Sequence, residues 1–277
     1  MRRVLAAIPV VVGLAVATAP AALGGTPLYP DMRTVMPQHV QLVNAGQQEI
    51  LRFSNGIANT GAGPWALRPE PSIEEARAQG LDEVEAWQEF RDSNAYYECG
   101  TQPKNTSDCF NVLSEYLAGS FVFHPAHNHW HISDVALFEV RKGDPYTGRI
   151  VGGNSIKTTF CLIDWYRLLS NSPSWERAFF DCYSSYQGIS SGWVDQYHQS
   201  TSGQQLDLTG VPNANDYYLV STANYARTFY ETDYRNNTAW VKFRLYTDSN
   251  GNRKVEVTGQ SPCDPNTGLC GEGTTNR

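Results

Sequence analysis

The chain has 277 residues, a formal net charge of -7, 12% aromatic residues and only 18% charged ones. An acidic balance disfavours nucleic acid as a partner and is mildly suited to cationic substrates. The length allows one large domain or two small ones, and no segment beyond the first two dozen residues could cross a membrane.

The opening, MRRVLAAIPVVVGLAVATAPAALGG, sets two arginines before an apolar run that ends among small residues. That order is the layout of a cleaved secretory signal, here residues 1–24, and Ala, Gly, Thr and Pro in its second half weigh against a retained anchor. Export and an oxidising compartment make three disulfides the expectation for Cys99, Cys109, Cys161, Cys182, Cys263 and Cys270. Six thiols allow about 15 pairings. Short loops suggest Cys99–Cys109 and Cys263–Cys270, leaving Cys161–Cys182. None has the spacing of a zinc ribbon, so any metal must rely on histidine and oxygen.

After the leader, GTPLYPDMRTVMPQH is proline-spaced and reads as irregular. EILRFSNGIANTGAGPWALRP reads as a strand, a glycine-rich turn and a second extended piece. In PSIEEARAQGLDEVEAWQEF, Ser72 with Glu75 three residues on is a capping box, and Leu81, Val84 and Trp87 extend a helical stripe past Gly80. From Leu117 the runs SFVFHPAHNHWHISDVALFEV, SIKTTFCLI, DYYLVSTAN and TAWVKFRLY are rich in β-branched and aromatic residues. The expectation is a mainly β protein, a β-sandwich-like core with a short helical insertion and long loops, stapled by disulfides. The tail from Thr247 is polar and glycine-rich.

Four of the six histidines fall within FHPAHNHWHISD, and His127, His129 and His131 alternate. On a strand they would share one face. At about 3.3 Å per residue the outer two would start roughly 13 Å apart, so meeting at one ion requires a bend or bulge. His124, off the alternation and followed by Pro125, reads as a supporting group rather than a ligand. Three imidazoles without thiolate suit copper, zinc or iron, and the residues alone do not choose.

Several ordered segments resemble the lysyl oxidase family, the copper- and quinone-dependent amine oxidases. LRFSNGIANTGAGPWALRP is similar to the family's early strand and turn, and HPAHNHWHISDVALFEV to its copper-binding segment. KTTFCLID, then FDCYSSYQGISSGWVDQY, then YLVSTANYARTFYETDYRNN follow in the family's order. The resemblance implies copper on His127, His129 and His131. It also implies that Lys157 and Tyr197 become the covalently linked cofactor lysine tyrosylquinone. Taken alone, Lys157 would read as a surface lysine of a strand and Tyr197 as one tyrosine among 15.

There are departures from the animal members. Those have a cysteine where Ala126 stands, and others near Tyr166 and at Trp193, so here Cys161 and Cys182 are left to pair with each other. Residues about 70–115 look inserted and could reshape substrate access. The implied plan is a leader (1–24), a lysyl oxidase-like catalytic domain (25–246) and a polar C-terminal tail (247–277).

The implied activity is a secreted amine oxidase, taking lysyl side chains or small primary amines to aldehydes with dioxygen and releasing ammonia and hydrogen peroxide. Its partners would be a primary amine or lysine-containing protein and dioxygen, with no nucleic acid and no membrane after signal removal. Asp134, Asp164, Asp195 and His198 are candidates for the general base, and the sequence does not select among them. Two other functions compete. One is an extracellular copper or zinc binding protein without oxidase activity. The other is a metal hydrolase with an open position for activated water.

Overall fold

A computed structural model describes residues 25–92, 112–153, 156–174, 177–183, 186–263 and 269, without the side chains of 156–158. The leader, the Cys99–Cys109 pair and Cys270 lie outside the described residues; Cys263 is disulfide-bonded.

The elements in order are β1 (Met32–Ala45), β2 (Gln48–Asn59), β3 (Trp65–Glu70), α1 (Ile73–Gln79) and β4 (Glu83–Arg91). Then come β5 (Val112–His124), β6 (His129–Lys142), β7 (Arg149–Ile150), β8 (Ile156–Phe160) and β9 (Tyr166–Arg167). The last six are β10 (Gln187–Ile189), β11 (Trp193–Tyr197), β12 (Gln205–Asp207), β13 (Ala214–Ala223), β14 (Thr238–Thr247) and β15 (Arg253–Gln260). A smaller sheet runs β1-β2-β11-β9 with β12 also on β2, and a larger one runs β10-β3-β4-β5-β6-β13-β14-β15 with β7 and β8 on β6. The protein is mainly β, as its composition predicts.

The two sheets meet through aromatic rings. Phe53 of β2 packs edge-on against Phe138 of β6 at 5.0 Å, and within the larger sheet Phe138 meets Phe160 of β8 at 6.5 Å. All three are fully buried, each stabilising the fold by about 1.5–3 kcal/mol. Polar ties close the ends. Buried Glu231, from the YETDYRNN run, accepts bonds from the Met32 N–H at 2.8 Å and from the Asn224 and Asn237 amides at 2.6 Å each. One carboxylate thus joins the start of β1 to the β13–β14 connection.

Two expectations fail locally. The stretch read as irregular forms most of β1, whose register with β2 shifts between Val35 and Gln38 and again before Gln41. Pro37 falls within the first shift, and β1 is an edge strand, where a missing N–H costs no ladder bond. The helical stripe does not pass Gly80. The Ser72–Glu75 capping box forms, but Gly80 adopts a left-handed conformation (φ 67°) that ends α1, and Val84 and Trp87 belong to β4. Within the segment read as inserted, β4 is an interior strand between β3 and β5. In the polar tail, β15 pairs with β14.

Candidate metal centre

The alternating histidines do not lie along one strand. β5 ends at His124 and β6 begins at His129, with the two facing each other in the hairpin register. Between them the chain turns: the N–H groups of His127 and Asn128 both donate to the His124 carbonyl, at 3.0 and 2.9 Å. Asn128 takes the left-handed conformation (φ 56°), one that Asn tolerates better than most residues. A reversal of direction, rather than a bulge within a strand, therefore carries His127 over His129 and His131.

Nε2 of His131 lies 2.9 Å from Nε2 of His129 and 3.3 Å from Nδ1 of His127. Nδ1 of His131 faces the Thr159 hydroxyl at 3.0 Å. A proton on Nδ1, donated to Thr159, leaves a lone pair on Nε2 toward the other two rings. Burial lowers the pKa of His131 to about 3, with the neighbouring imidazoles adding to the effect. Burial, then the neighbouring imidazoles, also lower His127 and His129. Neutral imidazole is the form that ligates.

His131 is spaced from each of the other two rings as ligands of one metal ion would be. With metal–nitrogen bonds of about 2 Å, two ligands subtending between a right angle and the tetrahedral angle sit about 2.8–3.3 Å apart. The two measured separations fall in that range. His124 joins the cluster, its ring stacked on His127 at 4.2 Å and on His131 at 4.9 Å. Potential donor atoms of His124, His127 and His131 all lie within 4.8 Å of one another. Nδ1 of His124 and of His129 are buried without a hydrogen-bond partner.

β8 links this cluster to the other residues singled out in the sequence. Lys157 is a register partner of Leu137 on β6, and Thr159, two residues on, touches His131. The Lys157 side chain lies outside the described atoms. Phe160 meets the Tyr197 ring edge-on at 4.6 Å, and the Tyr197 hydroxyl donates to the Cys161 carbonyl at 2.7 Å. Tyr197 reaches this point because β11 pairs with β2, Tyr197 opposite Asn55. Its phenol is held well above the usual pKa, by burial first and then by Asp195.

Cys161 and Cys182 form the expected disulfide. Their sulfurs lie close to His129, but bonded to each other they are not available as thiolates. The bridge also positions Tyr183, whose ring meets His129 edge-on at 5.6 Å. No sequence signal marked Thr159 or Tyr183; both matter through cross-strand or disulfide neighbours far away in the chain.

The candidate bases separate clearly. Asp134, at a register break of β6, accepts from the Tyr225 hydroxyl at 2.5 Å. Asp164 accepts from the Ala178, Phe179 and Ser190 N–H groups and the Ser190 hydroxyl, at 2.7–3.1 Å, and burial still raises its pKa to about 6. Asp195 is buried with Oδ2 unpartnered, its pKa raised well above the carboxylate range by burial and then by Asp164. His198 is exposed, its Nδ1 facing the Ser200 hydroxyl at 2.9 Å.

Residues 100–255, more than half of the chain, match the Lysyl oxidase family. The chain belongs to the lysyl oxidase family. No curated protein matches it. Copper-dependent amine oxidation is the family's kind of chemistry, amines or lysine its kind of substrate, and its members are typically extracellular. Among the described residues, no helix is long and apolar enough to cross a membrane.

Proposed function

We propose that this protein is an exported copper-dependent amine oxidase acting on lysyl side chains or small primary amines. The net reaction is amine plus dioxygen plus water giving aldehyde, ammonia and hydrogen peroxide. The observation that carries the reading is the meeting of three imidazole nitrogens beside β8, the strand of Lys157, with Tyr197 held against the end of that strand.

In this reading His127, His129 and His131 would hold copper, and Lys157 and Tyr197 would furnish lysine tyrosylquinone. Together these groups supply the electron removal from carbon that ordinary side chains perform poorly. The protein's own residues do the positioning. Thr159 fixes the His131 ring by keeping the proton on Nδ1, a supporting contact of the kind that tunes metal sites. Phe160 and the Cys161 carbonyl hold the Tyr197 ring and hydroxyl on the strand that also presents Thr159. The Cys161–Cys182 bridge ties that strand end to Tyr183 at the rim of the cluster.

Mass spectrometry of the exported, copper-loaded, aerated protein tests the assignment. A cross-linked peptide pair containing Lys157 and Tyr197, with peroxide release from an amine panel, is expected. Both side chains unmodified, with copper bound and no peroxide, would leave the second reading, an extracellular copper or zinc binding protein without oxidase activity.

A further inference from the structure

One ring nitrogen of His129 and the sulfurs of Cys161 and Cys182 all lie within 4.8 Å of one another. The two sulfurs are bonded to each other, so this group is closed to metal while the bridge stands. Opened, it becomes a different kind of site from the imidazole cluster beside it, with two thiolates and one imidazole. At metal–sulfur and metal–nitrogen bonds of about 2.3 and 2.0 Å, a three-coordinate ion sets its sulfurs about 4.0 Å apart and the nitrogen about 3.7 Å from each. The nitrogen already stands within about 1 Å of that range, and the main change needed is that the sulfurs part.

The local structure permits this. Cys161 follows β8, fully buried, its carbonyl held by the Tyr197 hydroxyl at 2.7 Å. Cys182 is half-buried in a turn, which makes it the sulfur that a reductant reaches and that can move. The chain beside both cysteines is also tied by bonds that do not involve sulfur. The Asp164 N–H donates to the Phe179 carbonyl at 2.6 Å, and the Phe179 N–H returns a bond to the Asp164 carboxylate at 3.1 Å. The Gly188 N–H donates to the Leu162 carbonyl at 3.1 Å. Thiolates select cuprous copper or zinc. Zinc is held by four ligands in closed sites, whereas three donors gather here among the described residues. That count favours the cuprous ion.

We propose that the reduced, folded chain carries a second metal site in which Cys161, Cys182 and His129 hold a cuprous ion. Exchange with a dithiol opens it: the Cys161–Cys182 bond breaks, the dithiol closes its own S–S bond, and two electrons and two protons pass to the cysteines. The ion then displaces the thiol protons. Exchange in the reverse direction, with a disulfide as oxidant, removes two of the three donors and releases the ion beside the imidazole cluster. The site does not depend on the amine oxidase reading.

The test is X-ray absorption at copper, on the full-length protein reduced anaerobically with a phosphine and given one equivalent of cuprous ion. Sulfur and nitrogen ligands are expected in the reduced protein, and nitrogen alone in the oxidised one. Cys182→Ser should lose the sulfur signal, Cys263→Ser should keep it, and His129→Ala should keep sulfur while losing nitrogen. Nitrogen-only coordination in the reduced wild type overturns the site, as does undiminished sulfur in Cys182→Ser or its loss in Cys263→Ser. Nitrogen unchanged in His129→Ala removes His129 from the donor set. Circular dichroism should show the β-sheet retained on reduction, and its loss also overturns the proposal. Absence of peroxide from the oxidised, copper-loaded protein with any amine would overturn the oxidase reading and leave this site standing.

Discussion

The Thr159 hydroxyl lies 3.0 Å from Nδ1 of His131, and Thr159→Val would replace it with a methyl group of similar size. Nothing else in the cluster changes, so the variant isolates the group that orients one ring. Removing a partner from a buried polar atom costs about 1–3 kcal/mol. His131 is only 3% exposed, so water cannot easily take the place of Thr159. Losing a residue that supports a metal ligand typically weakens metal affinity about 10–100-fold, which is about 1.4–2.7 kcal/mol. The two estimates agree, and a copper dissociation constant raised about 10–100-fold is expected. Competition titration against a chelator of known affinity reads this directly, with circular dichroism to confirm folding. His129→Ala, which removes a donor outright, should cost more. An affinity within twofold of the wild type for Thr159→Val would show that His131 is not held through Nδ1, and the assignment of its Nε2 to the metal would fail.

Three further outcomes are expected. Lys157→Ala should keep one copper per chain by atomic absorption and lose all quinone redox cycling; retained cycling would remove Lys157 from the cofactor. His124→Ala should weaken copper binding far less than His129→Ala, because its ring stacks on the cluster whereas His129 shares the 2.9 Å contact with His131; equal losses would make His124 a ligand. Copper should also stay bound on mild acidification. His131 is depressed to about 3, and His127 and His129 lie below their ordinary value, so protons compete for these nitrogens at a lower pH than for a free imidazole, about 6.5. The sign is that a lowered pKa keeps the ligand deprotonated to lower pH. Equilibrium dialysis at pH 7 and pH 6.5 should give similar occupancy, and a steep loss between them would contradict it.

Much of the fold is legible locally. β-Branched and aromatic runs mark the sheet, and Ser72 with Glu75 marks the start of α1. The failures have physical reasons. Val84 and Trp87 suit a helical stripe and a strand equally, and the left-handed Gly80 together with pairing to β3 and β5 decides for the strand. Pro37 argues against a regular strand until β1 is seen to be an edge with a register shift. The histidine alternation suggests one strand, whereas Pro125 to Asn128 turn it into a hairpin end.

The sequence alone supplied the candidate groups: histidines in one short run, cysteines expected to pair, and a lysine and a tyrosine in motifs about forty residues apart. Which nitrogens meet was decided only in three dimensions, by the turn at Asn128 and by Thr159 arriving on β8. The placing of Tyr197 was likewise decided there, through its strand's pairing with β2 and its bond to the Cys161 carbonyl. Periodicity and capping are local properties that neighbouring residues encode. Register between distant strands is selected by the burial of a shared core, which no short stretch of chain contains.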